Sequence, residues 1–271
     1  MSLKKKYTYP LLVILFTVGY LLFEKYAEEQ IDTPIVEQGK SEKAATNTYF
    51  LPLSTTGAIV HHNYYSLSYS EKHEQAEWVA YELTKNQVQN KDFKRPYFEV
   101  DPAVKSKSAH WKNYKNSGYD RGHLCPAGDR EFSKEAYNET FLTSNISPQE
   151  HKFNAGVWNR LEQKVRYWAK KYDGVYVVTG GILIDEIDTI GSENVTVPGS
   201  FYKIIYDRSG GEVRMLAFLM DSEESKEPLY KFVTSVDKIE SLTGIDFFPE
   251  LEDAQERKLE AGTSYKGWSF R

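Results

Sequence analysis

Residues 117–126 read Ser-Gly-Tyr-Asp-Arg-Gly-His-Leu-Cys-Pro, and this stretch restricts the fold more than any other part of the chain. We expect residues 118–124 to form a β-strand, because Pro126 cannot donate the hydrogen bond that a longer strand would need. Alternate residues of a strand point to the same side, so Arg121 and His123 would share one face. A guanidinium and an imidazole are thereby predicted side by side.

The residues that follow predict a second strand and then a helix. Residues 130–140 are typical of a helical excursion, and residues 141–146 of a returning strand that Pro148 ends. From His151 onward the apolar residues recur every three to four positions, which indicates a helix. These are Phe153, Val157, Leu161, Val165 and Trp168. Two strands therefore lead into one helix.

The rest of the chain favours an α+β fold. The 271 residues are 40% apolar and 14% aromatic, which is enough for one large core. Alternating or β-branched segments predict strands in five places, namely residues 51–69, 175–181, 195–197, 201–206 and 213–220. Two further helices are expected, one after Ser70 with Ala76, Val79 and Leu83 on its apolar face, and one over residues 229–243 closed by Gly244.

The N-terminus has the pattern of a targeting segment. Lys4, Lys5 and Lys6 precede an apolar run over residues 7–23, which predicts a signal anchor or signal peptide in residues 1–23. No small-x-small cleavage pattern follows, which favours an anchor that stays in the membrane. Residues 24–47 would form a flexible polar linker and residues 48–271 the folded domain. We therefore expect an exported protein that faces the periplasm or exterior, or is secreted if the segment is cleaved.

Charge and cysteine content exclude some classes of site. A single cysteine, Cys125, excludes an intrachain disulfide and an all-thiolate zinc site. The net charge of −5 argues against a protein held on nucleic acid by its overall field. The charge is uneven, however, since residues 85–130 carry a balance of +5 and residues 221–260 one of −7. A polyanion would be attracted to the first segment, while the second faces elsewhere.

The first segment also holds residues suited to acid–base chemistry on a phosphate ester. His123 can accept a proton near neutral pH, and Arg121 can donate hydrogen bonds to phosphate oxygens. Asp120 would fix the local geometry, and Gly122 would let another group approach closely. For a histidine without such surroundings, a structural hydrogen bond is the ordinary interpretation. We assign that role to His61, His62, His73, His110 and His151.

Asn154 and Glu162 supply oxygen ligands on the predicted helix. Eight residues of a straight helix separate the two by about 12 Å and about 80° around the axis. Both side chains cannot then bind one ion directly, whereas one direct ligand and one contact through water fit Mg²⁺, which keeps several waters. We therefore predict Asn154 as the ligand and Glu162 as a contact through water.

Three sequence blocks closely resemble the DNA/RNA non-specific endonucleases, the ββα-metal nuclease family that includes the endonuclease G type. The blocks are SGYDRGHLCPAGD at 117–129, SNISPQ at 144–149 and NAGVWNRLE at 154–162. The resemblance extends from about residue 49 to 248 and includes Arg95. It implies a ββα-metal finger beside a central, mostly antiparallel sheet flanked by helices.

The resemblance also implies a mechanism. His123 would be the general base, Asn154 the direct Mg²⁺ ligand and Glu162 part of the water network of the ion, where Mn²⁺ or another divalent ion can substitute. Arg95 and Arg121 would bind phosphate, and Arg121 would also act in the transition state. The substrates would be DNA and RNA, bound through the phosphate backbone and cut to leave 5′-phosphate ends.

Two other functions stay open at this point. The same site could act on a different phosphodiester, such as a lipid or teichoic-acid polymer of the cell envelope. The chain could instead be a non-catalytic module that binds polyanions. The sequence also leaves open whether the N-terminal segment is cleaved, whether DNA or RNA is preferred, and whether the protein acts alone or as a homodimer.

Overall fold

A seven-stranded antiparallel sheet is the centre of the computed structural model, which describes residues 50–184, 188–209 and 213–270. The predicted anchor at 1–23 and linker at 24–47 lie outside the described residues. In chain order the strands are β1 Ile59–His61, β2 Ser66–Ser70, β3 Gln75–Thr84, β4 Asp120–His123, β5 Ile146–Gln149, β6 Gly174–Gly181, β7 Thr189–Ile190, β8 Val195–Thr196, β9 Ser200–Asp207, β10 Arg214–Asp221 and β11 Val233–Thr234.

The central sheet has the order β1-β2-β3-β6-β9-β10-β11, and every neighbouring pair is antiparallel. Two small ribbons, β4-β5 and β7-β8, stand apart from it. The helices are α1 Lys134–Glu139, α2 His151–Phe153, α3 Asn159–Lys171, α4 Val236–Thr243 and α5 Asp253–Glu260, with a π-helical turn over Asn154–Trp158 between α2 and α3. Short 3₁₀ turns cover Lys85–Gln87, Trp111–Tyr114, Ala127–Asp129, Thr143–Asn145 and Leu229–Phe232.

The two faces of the sheet bury separate cores, because side chains of a strand alternate between faces. On β6, Val175 and Val177 join the core beneath α3, whereas Tyr176 and Val178 join the core beneath α4 and α5. From α3, Leu161, Val165 and Trp168 enter the first core, and from α4, Val236 and Ile239 enter the second. Helices thus flank an antiparallel sheet, and the predicted α+β class is confirmed.

The helix predicted after Ser70 is wrong, since that segment is the central strand β3. Ala76 and Val79 do share one face, as the helical spacing suggested. They do so because Ser68 pairs with Trp78 and Tyr69 with Ala76, which leaves one extra residue in β3 and shifts the alternation. In a bulged strand with both faces buried, apolar residues can therefore have the three-to-four-residue spacing that is typical of a helix.

Two other boundaries also differ from the prediction. The returning strand starts at Ile146 rather than ending there, and it contains Pro148, which pairs with Arg121. A ribbon of two strands leaves an outer edge where a proline costs no ladder hydrogen bond. The helix predicted over residues 229–243 begins only at Val236, after a 3₁₀ turn and β11, and it ends as expected at Gly244 with a φ of 68°.

Candidate active site

The β4-β5 ribbon and the helical segment after it carry most of the predicted site residues. Asp120 pairs with Gln149 and His123 with Ile146 across the ribbon. Asn145 fixes the end of the ribbon, because its amide accepts a hydrogen bond from the backbone of Cys125 (2.8 Å) and donates one back (3.0 Å). The strand pair therefore holds its register next to His123.

Gly122 is required by the packing of the ribbon itself. A Cβ at this position would lie 2.2 Å from the side chain of Gln149 on the paired strand. The close approach that the sequence suggested is thus made by a buried neighbouring side chain. Any larger residue would force the buried side chain of Gln149 to move.

Two phenylalanines surround the imidazole of His123. Its ring centre lies 4.9 Å from that of Phe141, edge to face, and 5.6 Å from that of Phe98. Its Nε2 is buried and has no hydrogen-bond partner among the described residues. Burial, and next the charge of Arg95, lower the pKa of His123 to about 3. The ring is therefore neutral at physiological pH and has a nitrogen able to accept a proton.

The same aromatic rings gather two arginines next to the histidine. The guanidinium of Arg95 lies 5.4 Å from the centre of Phe98 and 5.5 Å from that of Phe141. That of Arg121 lies 5.3 Å from Phe98. Neither arginine forms an ion pair with a described carboxylate, and Nε of Arg121 is buried without a partner. Two uncompensated cations thus meet at a neutral base, an arrangement suited to a phosphate.

Backbone hydrogen bonds tie the loop that carries Arg95 to the segment that leads into β5. The amide of Glu99 donates to the carbonyl of Phe141 (3.2 Å), and the amide of Thr143 donates to the carbonyl of Glu99 (2.8 Å). These bonds bring a segment some 25 residues before the ribbon to its side. Sequence spacing alone gives no sign of this contact.

Asp120 connects the ribbon to the start of the helical segment. Its Oδ2 accepts hydrogen bonds from Asn154 Nδ2 and His151 Nδ1, each at 2.9 Å. The amide nitrogen of Asn154 is thereby fixed, and its Oδ1 accepts no hydrogen bond from the described residues. Asp120 therefore contacts both Asn154 and His151, and its positioning role remains a prediction.

The segment between Asn154 and Glu162 is not a straight helix. A π-helical turn spans Asn154–Trp158, and Gly156 within it has a non-helical φ of −101° and ψ of −108°. The separation calculated for a regular helix therefore does not apply. Such π turns are frequent at functional sites.

Glu162 lies half-buried on α3, near the charged side chains of Asp129, Arg166 and Lys203. Burial and the charge of Asp129 raise its pKa to about 7, while Lys203 and Arg166 act in the opposite direction. Asp129 is fully buried and is held by Arg166 (2.7 Å) and by the hydroxyl of Tyr81 (2.8 Å). Glu162 can therefore change its protonation near neutral pH.

The donor set fits a hard divalent cation held by few protein ligands. Asn154 offers one neutral amide oxygen, and Glu162 one carboxylate that is not used in an ion pair among the described residues. Mg²⁺ suits this set because it retains waters and uses one or two protein oxygens. The described residues place three mutually close carboxylates only elsewhere, at Asp237, Glu240 and Glu260.

Several residues of the site were missed by sequence reasoning. Phe98 and Phe141 order the base and both arginines, and no motif indicated them. Arg166 follows Glu162 by one helical turn, a spacing that could have revealed it. Lys203 is fully buried on β9, with its Nζ 4.8 Å from the centre of the Trp158 ring. A lysine within an otherwise apolar strand was a visible signal.

Cys125 has the structural role that the sequence suggested. It is fully buried, and burial raises the pKa of its thiol to about 12. The thiolate is therefore absent at neutral pH, and the residue serves as a small apolar group under the ribbon.

Comparison with known proteins connects this arrangement to one family. The family profile described as DNA/RNA non-specific endonuclease matches residues 42–254. Nuclease EXOG, mitochondrial, of Homo sapiens is 33% identical over 232 residues, which cover 79% of this chain and 63% of that protein. Endonuclease G, mitochondrial, of Homo sapiens is 30% identical over 202 residues, or 69% of this chain and 68% of that protein.

A solved structure resembles the fold as well. The crystal structure of an EndoG/EndoGI complex contains a chain that is 31% identical, with a TM-score of 0.71, covering 78% of this chain and 91% of that one. The present chain spans less than two thirds of the length of human EXOG.

The predicted location is corrected by these findings. Relatives that match most of the chain are named as mitochondrial nucleases, so the expectation of an exported or periplasm-facing protein is wrong. In residues 50–184, 188–209 and 213–270, no helix has the length and apolar character needed to cross a membrane.

Proposed function

Because the chain belongs to the DNA/RNA non-specific endonuclease family, we propose that it is a metal-dependent endonuclease that hydrolyses phosphodiester bonds in DNA and RNA. The observation that supports this most strongly is the group formed by His123, Arg95 and Arg121 around Phe98 and Phe141. A neutral base flanked by two cations without counterions suits attack of water on a phosphate diester.

In this proposal His123 is the general base. Its unpartnered Nε2 accepts a proton from the attacking water, and its low pKa keeps the ring neutral before the reaction. Arg121 donates hydrogen bonds to the non-bridging phosphate oxygens, where negative charge increases in the transition state. Arg95 holds the phosphate and, once the imidazole is protonated, favours return of the proton to solvent by charge repulsion.

The metal would be Mg²⁺, held directly by Oδ1 of Asn154 and through water by Glu162. When bound, the ion supplies positive charge that stabilises the phosphate and the departing 3′-oxygen. Asp120 accepts a hydrogen bond from Nδ2 of Asn154, which leaves Oδ1 of that amide available for the ion. Mn²⁺, also a hard divalent ion, would substitute for Mg²⁺.

The substrate would be recognised through phosphate and sugar. Arginines and a metal ligand form the site, and such contacts carry no base information. We therefore expect weak sequence preference, activity on both DNA and RNA, and products with 5′-phosphate ends.

A nicking assay tests the proposal. Supercoiled DNA and a structured RNA are incubated with the protein in Mg²⁺ or EDTA, and the variants His123→Ala and Asn154→Ala are compared with wild type. We expect turnover to fall about 10²- to 10⁴-fold for His123→Ala, the usual contribution of a general base. EDTA should abolish cleavage of both substrates by wild type.

The matched control is Asp253→Asn, a substitution at an exposed carboxylate of α5, which should cleave at the wild-type rate. Circular dichroism establishes that each variant is folded. Unchanged nicking by His123→Ala would refute the assigned base. Retention of DNA without metal-dependent cleavage by wild type would instead support a polyanion-binding module, and hydrolysis confined to a lipid or teichoic-acid polymer would support an envelope phosphodiesterase.

A further inference from the structure

Three carboxylates from two helices converge on the face of the sheet opposite to the catalytic ribbon. Asp237 and Glu240 lie on α4 and Glu260 at the end of α5, and one oxygen of each lies within 4.8 Å of the others. Both helices pack on the core that is separate from the one beneath α3. The convergence is a product of tertiary packing, because 20 residues separate Glu240 from Glu260.

Glu260 is unusual among the three because it is buried. Only 5% of the residue is exposed, and its Oε1 is enclosed without a hydrogen-bond partner among the described residues. A buried carboxylate oxygen costs free energy unless a donor or a cation satisfies it. The carboxylate of Glu260 belongs to one cluster with those of Asp237 and Glu240, which in their ionised form accept hydrogen bonds and cannot donate one to the buried oxygen.

The surroundings add further negative charge. After burial, the strongest influences on the pKa of Glu260 are Glu240 and Glu256, and together they raise it to about 8. Burial and the neighbouring acids also raise the pKa of Glu240. No described lysine or arginine forms an ion pair with Asp237, Glu240 or Glu260. The acidic segment found in the sequence is therefore concentrated around one point that holds no countercharge of its own.

The number of carboxylates in the cluster suits calcium better than magnesium. Oxygens bound to one Ca²⁺ lie about 2.3–2.6 Å from the ion and hence at most about 5 Å apart, and the three carboxylates meet this limit. Ca²⁺ also accepts irregular coordination by several carboxylates. Mg²⁺ usually takes only one or two of them and keeps its water.

We propose that Asp237, Glu240 and Glu260 bind one Ca²⁺ ion that joins α4 to α5. The ion satisfies the buried oxygen of Glu260 and neutralises the charge that the two helices bring together. This site is independent of the proposed catalytic ion, since it uses other residues on the other face of the sheet. Its effect is on stability rather than on turnover.

Thermal unfolding of the full chain tests the proposal. The Asn154→Ala variant is used as the background, so that binding at the proposed catalytic site does not contribute. The protein is treated with EDTA, exchanged into chelator-free buffer, and melted with CaCl₂ or MgCl₂. At about a hundredfold excess over the dissociation constant, we expect CaCl₂ to raise Tm by about 5–10 °C, and MgCl₂ by clearly less.

Variants locate the ion. Adding Glu240→Gln and Glu260→Gln together should abolish the rise in Tm caused by Ca²⁺. Adding Asp253→Asn instead, at an exposed carboxylate of α5, should preserve that rise. Melting in EDTA shows whether the double variant folds. If it does not fold, the single variant Asp237→Asn, at an exposed position, still tests the site, because it should weaken Ca²⁺ binding. Titration calorimetry should give one Ca²⁺ per chain for the background protein.

Two results would overturn the proposal. A Ca²⁺ shift of the same size in the Glu240→Gln/Glu260→Gln protein would place the ion elsewhere. Absence of any Ca²⁺ shift in the background protein, with a higher Tm in EDTA for the double substitution, would mean that protons and not a cation neutralise the cluster.

Discussion

Glu162 and Glu260 lie on opposite faces of the same sheet, and the charges around them differ in sign. Lys203 and Arg166 oppose the rise in the pKa of Glu162, whereas the principal charges acting on Glu260 all come from carboxylates. Among the residues that the structure describes, no carboxylate pairs with Arg95 or Arg121 in the first region, and no lysine or arginine pairs with Asp237 or Glu240 in the second.

The difference in charge predicts which kind of ligand each region would bind. Charge of one sign that collects without a partner costs free energy, and a ligand of the opposite sign removes that cost. On the ribbon side the deficit is negative charge, which a polynucleotide phosphate would supply under the proposed function. On the side of α4 and α5 it is positive charge, which the proposed Ca²⁺ ion would supply. The net charge of −5 conceals both.

The largest effect should come from removing a cation on the ribbon side. Arg121→Ala should lower kcat by about 10²- to 10³-fold, because a donor to the developing charge is lost. Arg121→Lys should recover part of the activity, since the charge remains but the planar fork does not. Initial rates on DNA measure both, with Glu260→Gln as the control from the acidic side. A rate for Arg121→Ala within threefold of wild type would contradict the role of this arginine.

A smaller effect is expected when the single carboxylate of the ribbon is removed. Asp120→Ala releases the amide of Asn154, so the Mg²⁺ concentration at half-maximal activity should rise about 10- to 100-fold. Measuring activity against Mg²⁺ concentration tests this. His151→Ala, which removes only the other hydrogen bond to Asp120, should shift that concentration less. An equal effect of both variants would show that Asp120 does not act through Asn154.

The smallest expected effect is on the pH dependence of stability, which should differ between Glu162 and Glu260. In EDTA, the folded protein holds a proton on each more tightly than the unfolded chain does, so each stabilises the fold at low pH. This stabilisation is lost as pH rises from about 4.5 toward about 7 for Glu162 and about 8 for Glu260.

Substitution by glutamine removes that dependence. The difference in Tm between Glu162→Gln and wild type should increase by a few degrees as pH rises and level off near pH 7. The corresponding difference for Glu260→Gln should level off near pH 8. Thermal melts in EDTA across pH 4 to 9 measure the differences. Parallel curves for wild type and either variant would mean that the pKa of that glutamate is not raised by folding.

Local pattern was sufficient for the first strand of the ribbon and for the long helix, but not for the bounds of the second strand. Pro126, Gly122 and the spacing of Leu161, Val165 and Trp168 act over a few residues, and their consequences appear in β4 and α3. The pattern failed at β3, where one extra residue in a strand buried on both faces gave a helical spacing. It could not find Phe98, because that residue reaches His123 through backbone hydrogen bonds between distant segments.

The sequence by itself determined the types and local order of the groups in the candidate site: an imidazole and a guanidinium on one strand, and an amide and a carboxylate on the helical segment that follows. It also predicted the family, whose profile matches residues 42–254. Only the tertiary structure decided that Arg95 joins His123, that a π-helical turn begins at Asn154, and that Glu260 meets Asp237 and Glu240. The physical reason is that secondary-structure propensity and hydrophobic periodicity depend on residues close together in sequence. The burial of a side chain and the charges around it depend on distant segments that only packing brings together.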